Sequence, residues 1–83
     1  MPVCDLVLPC RDEAPALADL LPRVPEEFAV VVVDNGSSDG TADVARRLGA
    51  TVVHEPVPGY GSAVHSGLLA ATHDYVAFMD GDG

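Results

Sequence analysis

Short apolar runs alternate with mixed polar segments along the 83 residues, and the period of each run predicts an element. Val3 to Leu8 is mostly apolar and stops at Pro9, as a strand buried on both faces would. From Ala16 onward, Leu17, Leu20, Leu21 and Val24 recur at helical spacing, with Pro22 and Pro25 fraying the end. Phe28 to Val33 (FAVVVV) is a β-branched run closed by Asp34-Asn35-Gly36, which predicts a central parallel strand. Ser38 and Asp39 offer acceptors at the start of a second helix, whose apolar stripe is Val44, Ala45 and Leu48. Arg46 and Arg47 suit the dipole of its last turn, and Gly49 ends it. Thr51 to His54 reads as a brief strand and Pro56 to Gly61 as a loop. A third helix follows, carrying Val64, Leu68 and Ala71, and Tyr75 to Met79 is a fourth strand that ends on Asp80.

Strand alternating with helix predicts an α/β chain, a three-layer sandwich whose sheet is mainly parallel and joined by right-handed crossovers. Residues 1–83 form one domain portion. Because a buried strand is its last element, the chain is expected to be the front of a longer protein, truncated after that strand. Composition supports a folded core, with 48% apolar and 20% charged residues. Thirteen acids against four arginines and no lysine give a net charge of −9, which argues against a nucleic-acid or anionic-membrane surface. A bound cation is the more natural partner. No apolar run reaches membrane-spanning length, and the N-terminus lacks a signal-peptide pattern. Cys4 and Cys10 have no His or Cys partner at metal-ligand spacing, which suggests reduced thiols and a cytoplasmic location.

In open α/β sheets, ligands bind outside the carboxyl ends of the strands. There this sequence places Pro9, Arg11, Asp12 and Glu13 after the first strand, Asp34, Asn35 and Ser37 after the second, and Asp80 and Asp82 after the fourth. Carboxylates converging on one edge repel one another unless a positive charge sits among them. Asp80-Gly81-Asp82 can turn two carboxylates toward a hard divalent cation, Mg or Mn, shared with a diphosphate. The bland reading of that triplet is an acidic turn. Asp34 can accept from a nucleobase or ribose, whereas Ser38, Asp39 and Thr41 read as turn and cap chemistry. Gly59-Tyr60-Gly61 allows close backbone approach to a phosphate but fails as a dinucleotide fingerprint, because Val64 takes the third glycine position. His54, His65 and His73 sit on different elements and read as surface or packing residues.

The runs VVVDNGSSDGTADVARRLGA, PGYGSAVHSGLLAAT and YVAFMDGDG, in that order, resemble the nucleotide-sugar half of family 2 glycosyltransferases. The nearest branch includes dolichol-phosphate mannose synthase and bacterial polyprenyl-phosphate sugar transferases. The resemblance implies the Rossmann-like front half of a GT-A fold. It also implies a nucleotide-binding role for Pro9, Arg11 and Glu13, with Asp12 where the family usually has Asn. Asp34 and Asn35 stand where the family reads base and ribose with an acidic pair. Asp80 and Asp82 match its Asp-x-Asp motif, with both holding the metal and Asp80 also touching the donor. The implied reaction is metal-dependent, inverting transfer of a sugar from a nucleotide-diphosphate donor, with a polyprenyl phosphate as a candidate acceptor at the cytoplasmic membrane face. No general base is assigned within these residues, so the 83-residue chain alone is expected to be inactive.

A haloacid-dehalogenase-like phosphatase also uses Asp-x-Asp-Gly after an apolar strand, which would make Asp80 the nucleophile and Asp82 the acid/base. There, however, the motif ends the first strand, and here three strands precede it. A nucleotide- or cation-binding module without turnover is the non-enzymatic alternative.

Overall fold

The computed structural model describes residues 3–73 and 75–78. Its strands are β1 (Cys4–Cys10), β2 (Phe28–Asp34), β3 (Thr51–His54) and β4 (Tyr75–Phe78). They form one sheet in the order β3-β2-β1-β4, and every pairing is parallel. The helices are α1 (Ala14–Leu20), continued by a 3-10 turn at Leu21–Arg23, α2 (Thr41–Arg47) and α3 (Tyr60–Ala70). Winding runs from β1 through β2 to β3 on one side and then returns to place β4 on the other. Strand order therefore reverses beside β1, the position where such sheets open a ligand crevice.

Period-two alternation along β1 and β2 splits the core between the two sheet faces. Leu6, Leu8, Cys10 and Val32 pack with Leu17 and Leu21 from the α1 side and Ala45 of α2. On the other face Val7, Val31 and Val33 pack against Ala63 of α3. Both faces of the two central strands are thus covered, which explains why their sequences read as continuous apolar runs. The expected three-layer α/β architecture is present.

Local differences from the expected elements have physical causes. β1 continues through Pro9 to Cys10, although proline cannot donate to a ladder. The Cys10 carbonyl accepts the Asn35 N–H, so Cys10 bonds toward β2 and its neighbour Pro9 faces the β4 side. There the described pairing ends at Val7 opposite Phe78, so the missing N–H breaks no described ladder bond. Pro22 lacks the N–H that would extend α1, and the chain tightens into the 3-10 turn at that point.

The inward stripe of α3 is Ala63, Gly67 and Ala70 rather than Val64, Leu68 and Ala71; Leu68 is exposed. Small residues are required there because the helix lies close on the sheet. A Cβ at Gly67 would overlap Val7 Cγ1 and stand 3.2 Å from Val33 Cγ2. β4 ends at Phe78, and Met79 lies outside the described residues.

Candidate functional site

The carboxyl ends of β1 and β2 are in register, with Cys10 opposite Asp34, so the segments that leave them emerge side by side. Pro9 is half-buried, Arg11 is exposed, Glu13 and Asn35 are half-buried, and Asp34 is only 7% exposed. Pro9, Cys10 and Arg11 line a cleft of about 260 Å³ with Asn35 from the end of β2 and Gly59, Tyr60 and Ala63 from the start of α3. A larger groove of about 340 Å³ lies at the opposite, amino edge of β2 and β3, between Leu21, Phe28 and Leu48. Its lining is mainly apolar, with Glu26 its one charged side chain. Size therefore does not distinguish the two, but the smaller cleft is the one at the carboxyl ends of the strands, with Arg11 in its lining.

Hydrogen bonds between the two outgoing segments fix that edge. Asp12 adopts the left-handed conformation at φ 54°, which aspartate tolerates better than most residues. Its N–H donates to Ser37 Oγ at 2.9 Å, and its Oδ1 accepts the Ser38 N–H at 2.8 Å. The Glu13 N–H donates to Thr41 Oγ1 at 3.0 Å, and the Thr41 hydroxyl in turn donates to Asp39. Asp39 also accepts the N–H groups of Ala14 at 3.2 Å and Thr41 at 3.0 Å, so one carboxylate caps the starts of both α1 and α2. These bonds, led by the Thr41 hydroxyl, hold the Asp39 carboxyl below its ordinary pKa. Thr41 is fully buried.

Asp34 is held from two directions. Its Oδ1 accepts the Ser37 N–H at 3.0 Å, and its Oδ2 lies 3.4 Å from Nδ1 of His54, the last residue of β3. Arg46 Nη2 approaches His54 Nε2 at 2.9 Å. A guanidinium can only donate, so Nε2 is the acceptor and the imidazole proton sits on Nδ1, facing Asp34.

Asn35 turns toward the loop between β3 and α3. Its Nδ2 donates to the carbonyls of Glu55 and Val57, both at 2.9 Å, and its Oδ1 accepts the Gly59 N–H at 3.0 Å. Glu55 completes the loop by accepting the Val57 N–H at 2.8 Å and the Ser66 hydroxyl. Those bonds, the Ser66 hydroxyl first, lower its pKa.

Sequence reasoning placed Pro9, Arg11, Glu13, Asp34 and Asn35 at one edge, and the structure brings them together there. It read Thr41 as turn and cap chemistry, His54 as a surface or packing residue and Tyr60 only as part of a loop open to a phosphate, and gave none of their side chains a part in the site. The signal for His54 was its place at the carboxyl end of a strand, in register with Asp34. Asp80 and Asp82 lie outside the described residues. Among the described residues no group of three or more His, Cys, Asp or Glu side chains is arranged to hold a metal ion, and no helix is long and apolar enough to cross a membrane.

The model of the family described as glycosyl transferase family 2 matches residues 5–83. A relative described as an uncharacterized glycosyltransferase of Mycobacterium tuberculosis is 55% identical over 78 residues, covering 94% of this chain and 36% of its own length. A dolichyl-phosphate hexose transferase of Haloferax volcanii is 39% identical over 66 residues, covering 80% of this chain and 28% of its own. The chain thus spans about a third of the length of such relatives. Among solved structures, glucosyl-3-phosphoglycerate synthase from Mycobacterium tuberculosis, in complex with Mn2+, UDP and glucosyl-3-phosphoglycerate, superposes with a TM-score of 0.82. It is 29% identical, and the match covers 96% of this chain and 33% of that one.

Proposed function

The chain belongs to glycosyl transferase family 2, and from that premise we propose that it forms the donor-binding part of a metal-dependent, inverting glycosyltransferase acting on a nucleotide-diphosphate sugar. Membership of that family sets aside the phosphatase alternative for Asp80 and Asp82. The observation that carries the reading is the shared carboxyl edge. There Arg11, Asp34 and the cleft beside Pro9 occur together at the switch point, in a chain whose structural neighbour binds UDP with Mn2+.

Each residue has a part in that reading. Asp34, held by Ser37 and His54, offers carboxylate acceptors to a nucleobase N–H or a ribose hydroxyl. Pro9 supplies an apolar wall, and Arg11 supplies charge to a donor phosphate. Glu13 and Asn35 border the same edge. In the same reading Asp80 would also contact the donor, and Asp80 and Asp82 would hold Mg or Mn, for which two hard carboxylates are a fitting donor set. When bound, the cation neutralises charge on the leaving diphosphate as a Lewis acid. In the transfer, an acceptor oxygen forms a bond to the anomeric carbon while the bond from that carbon to the diphosphate oxygen breaks. The acceptor we favour is a polyprenyl phosphate, supported by the Gly59-Tyr60-Gly61 to Gly67 stretch and by the dolichyl-phosphate relative. A cytoplasmic location goes with that reading.

Calorimetry with UDP-, GDP- and dTDP-sugars, with and without Mn2+, tests the proposal. Binding of one nucleotide sugar that needs the metal and is weakened by Asp82→Ala is the expected result. Binding indifferent to metal, or none to any nucleotide, would overturn it, the latter leaving the non-enzymatic alternative.

A further inference from the structure

Building on the donor-site reading, we propose that Asn35 is a positioning residue for a nucleobase subsite. Its amide straps the 55–59 loop to the end of β2, and the strapped loop sets Tyr60 against the cleft.

The amide is almost fully spent within the protein. A primary amide has two N–H donors and one carbonyl oxygen. Both donors go to Glu55 and Val57 carbonyls, and the oxygen accepts the Gly59 N–H. The Asn35 main-chain N–H is committed to the Cys10 carbonyl at 2.9 Å, so the residue is also fixed to β1. The loop it holds is tied again by the Glu55 N–H to the Asp34 carbonyl at 3.0 Å and by the Glu55 carboxylate to Ser66. Gly59, at φ 118°, then turns the chain into α3, where Tyr60 is the first residue. Tyr60 is 59% exposed and lines the cleft together with Pro9 and Arg11. A cleft lined by an exposed aromatic ring and a guanidinium is suited to a flat aromatic ligand, since a base can stack on either group.

An aspartate at position 35 has the same shape but no donor. It would set a negative charge against two carbonyl oxygens and release the loop. Asn35→Asp therefore separates a strap from a group that reads the base. The expected result is a fall of about tenfold in affinity for UDP, GDP and dTDP alike, the equivalent of one lost hydrogen bond. Their order should be unchanged, and so should binding of inorganic diphosphate with Mn2+. Hydrogen exchange at Val57 and Gly59 should speed up while the β1–β2 amides keep their rates. A changed order of bases would mean that the side chain at position 35 reads the base directly and would overturn the inference, as would unchanged affinity with unchanged exchange.

If Asn35→Asp does not fold, the wild type still decides the matter. Asn35 is the one asparagine of a chain without glutamine, so its side-chain amide gives a single 15N-resolved pair. Exchange of that pair at the rate of a free amide would overturn the strap. Absence of nucleotide binding by the wild type would overturn the donor-site reading and this inference with it. A free-exchanging amide in a protein that binds nucleotide would overturn this inference alone.

Discussion

The carboxylate of Asp5 holds His73 twice, accepting its backbone N–H at 2.7 Å through Oδ2 and facing its imidazole Nδ1 at 3.2 Å through Oδ1. Oδ2 also accepts the Thr72 N–H at 2.9 Å, and Asp5 is 2% exposed. A buried acid near the start of β1 thereby anchors the connection from α3 to β4, the strand that leads toward Asp80. Burial alone raises its pKa, but the His73 N–H, the His73 imidazole and the Thr72 N–H together outweigh burial and leave the carboxyl below its ordinary value.

A depressed pKa in the folded state means that Asp5 stabilises the protein above its unfolded value of about 3.9 and loses that contribution as pH falls through the folded value. Asp5→Ala orphans two backbone donors, at about 1–3 kcal/mol each, and should be strongly destabilising at neutral pH. Asp5→Asn should be less so, and its stability deficit against the wild type should shrink below about pH 4. Denaturant midpoints measured from pH 7 downward check this. Asp39 and Glu55, whose pKa values are also lowered, are common to both proteins and cancel. A deficit that stays constant with pH would show that the charge of Asp5 is not what matters.

The sheet was legible in the sequence because each strand is a short, mainly apolar run and each connection carries its own stop signal. Thr51–His54 falls where the pattern put it, and Phe28 begins β2 as expected. Asp5 was not legible, since a lone acid in an apolar run gives no sign that backbone N–H groups 67 and 68 positions away will satisfy it. The inward face of α3 was misread for a related reason. Hydrophobicity marks Leu68, but close approach to Val7 selects glycine and alanine, which carry little hydrophobic signal. At the site, residue types at strand ends were enough to gather Pro9, Arg11, Asp34 and Asn35. The direction in which Asn35 spends its amide depends on a loop folded over it 20 or more residues later.

Gly67→Ala tests the close approach of α3 to the sheet. In an exposed helix this change gains about 1 kcal/mol in propensity. Here the new methyl must displace Val7 Cγ1 from a fully packed face, and overpacking of that kind costs about 1–3 kcal/mol. The variant should be net destabilised, and Val7→Ala should cost less in its background than in the wild type. Equal costs for Val7→Ala in both backgrounds would rule out the contact.

Asp12 offers a test of the seam between the outgoing loops. Asn tolerates the left-handed conformation at φ 54° and keeps an oxygen for the Ser38 N–H, so Asp12→Asn should change stability by less than about 0.5 kcal/mol. Asp12→Val loses that acceptor and strains the backbone, at about 1–2 kcal/mol for the conformation alone. Thermal melts of the two variants separate the outcomes, and similar melting temperatures would mean that the seam contributes little.

The chain Arg46–His54–Asp34 makes a prediction about nucleotide affinity rather than stability. Because Arg46 can only donate, it selects the His54 tautomer that presents Nδ1–H to Asp34, and it does so from the last turn of α2. Asp34 keeps the Ser37 N–H on its other oxygen, so losing the imidazole should loosen the carboxylate without releasing it. His54→Phe removes the partly exposed imidazole that stands 3.4 Å from the Asp34 carboxylate, and should weaken UDP binding by roughly twofold to fivefold, at the low end of what one polar contact is worth. Asp34→Ala should weaken it more. If the imidazole acts only through Asp34, His54→Phe added to Asp34→Ala costs nothing further, a non-additivity that a double-mutant cycle reads directly. A full additional loss in the double variant would instead place His54 in independent contact with the nucleotide.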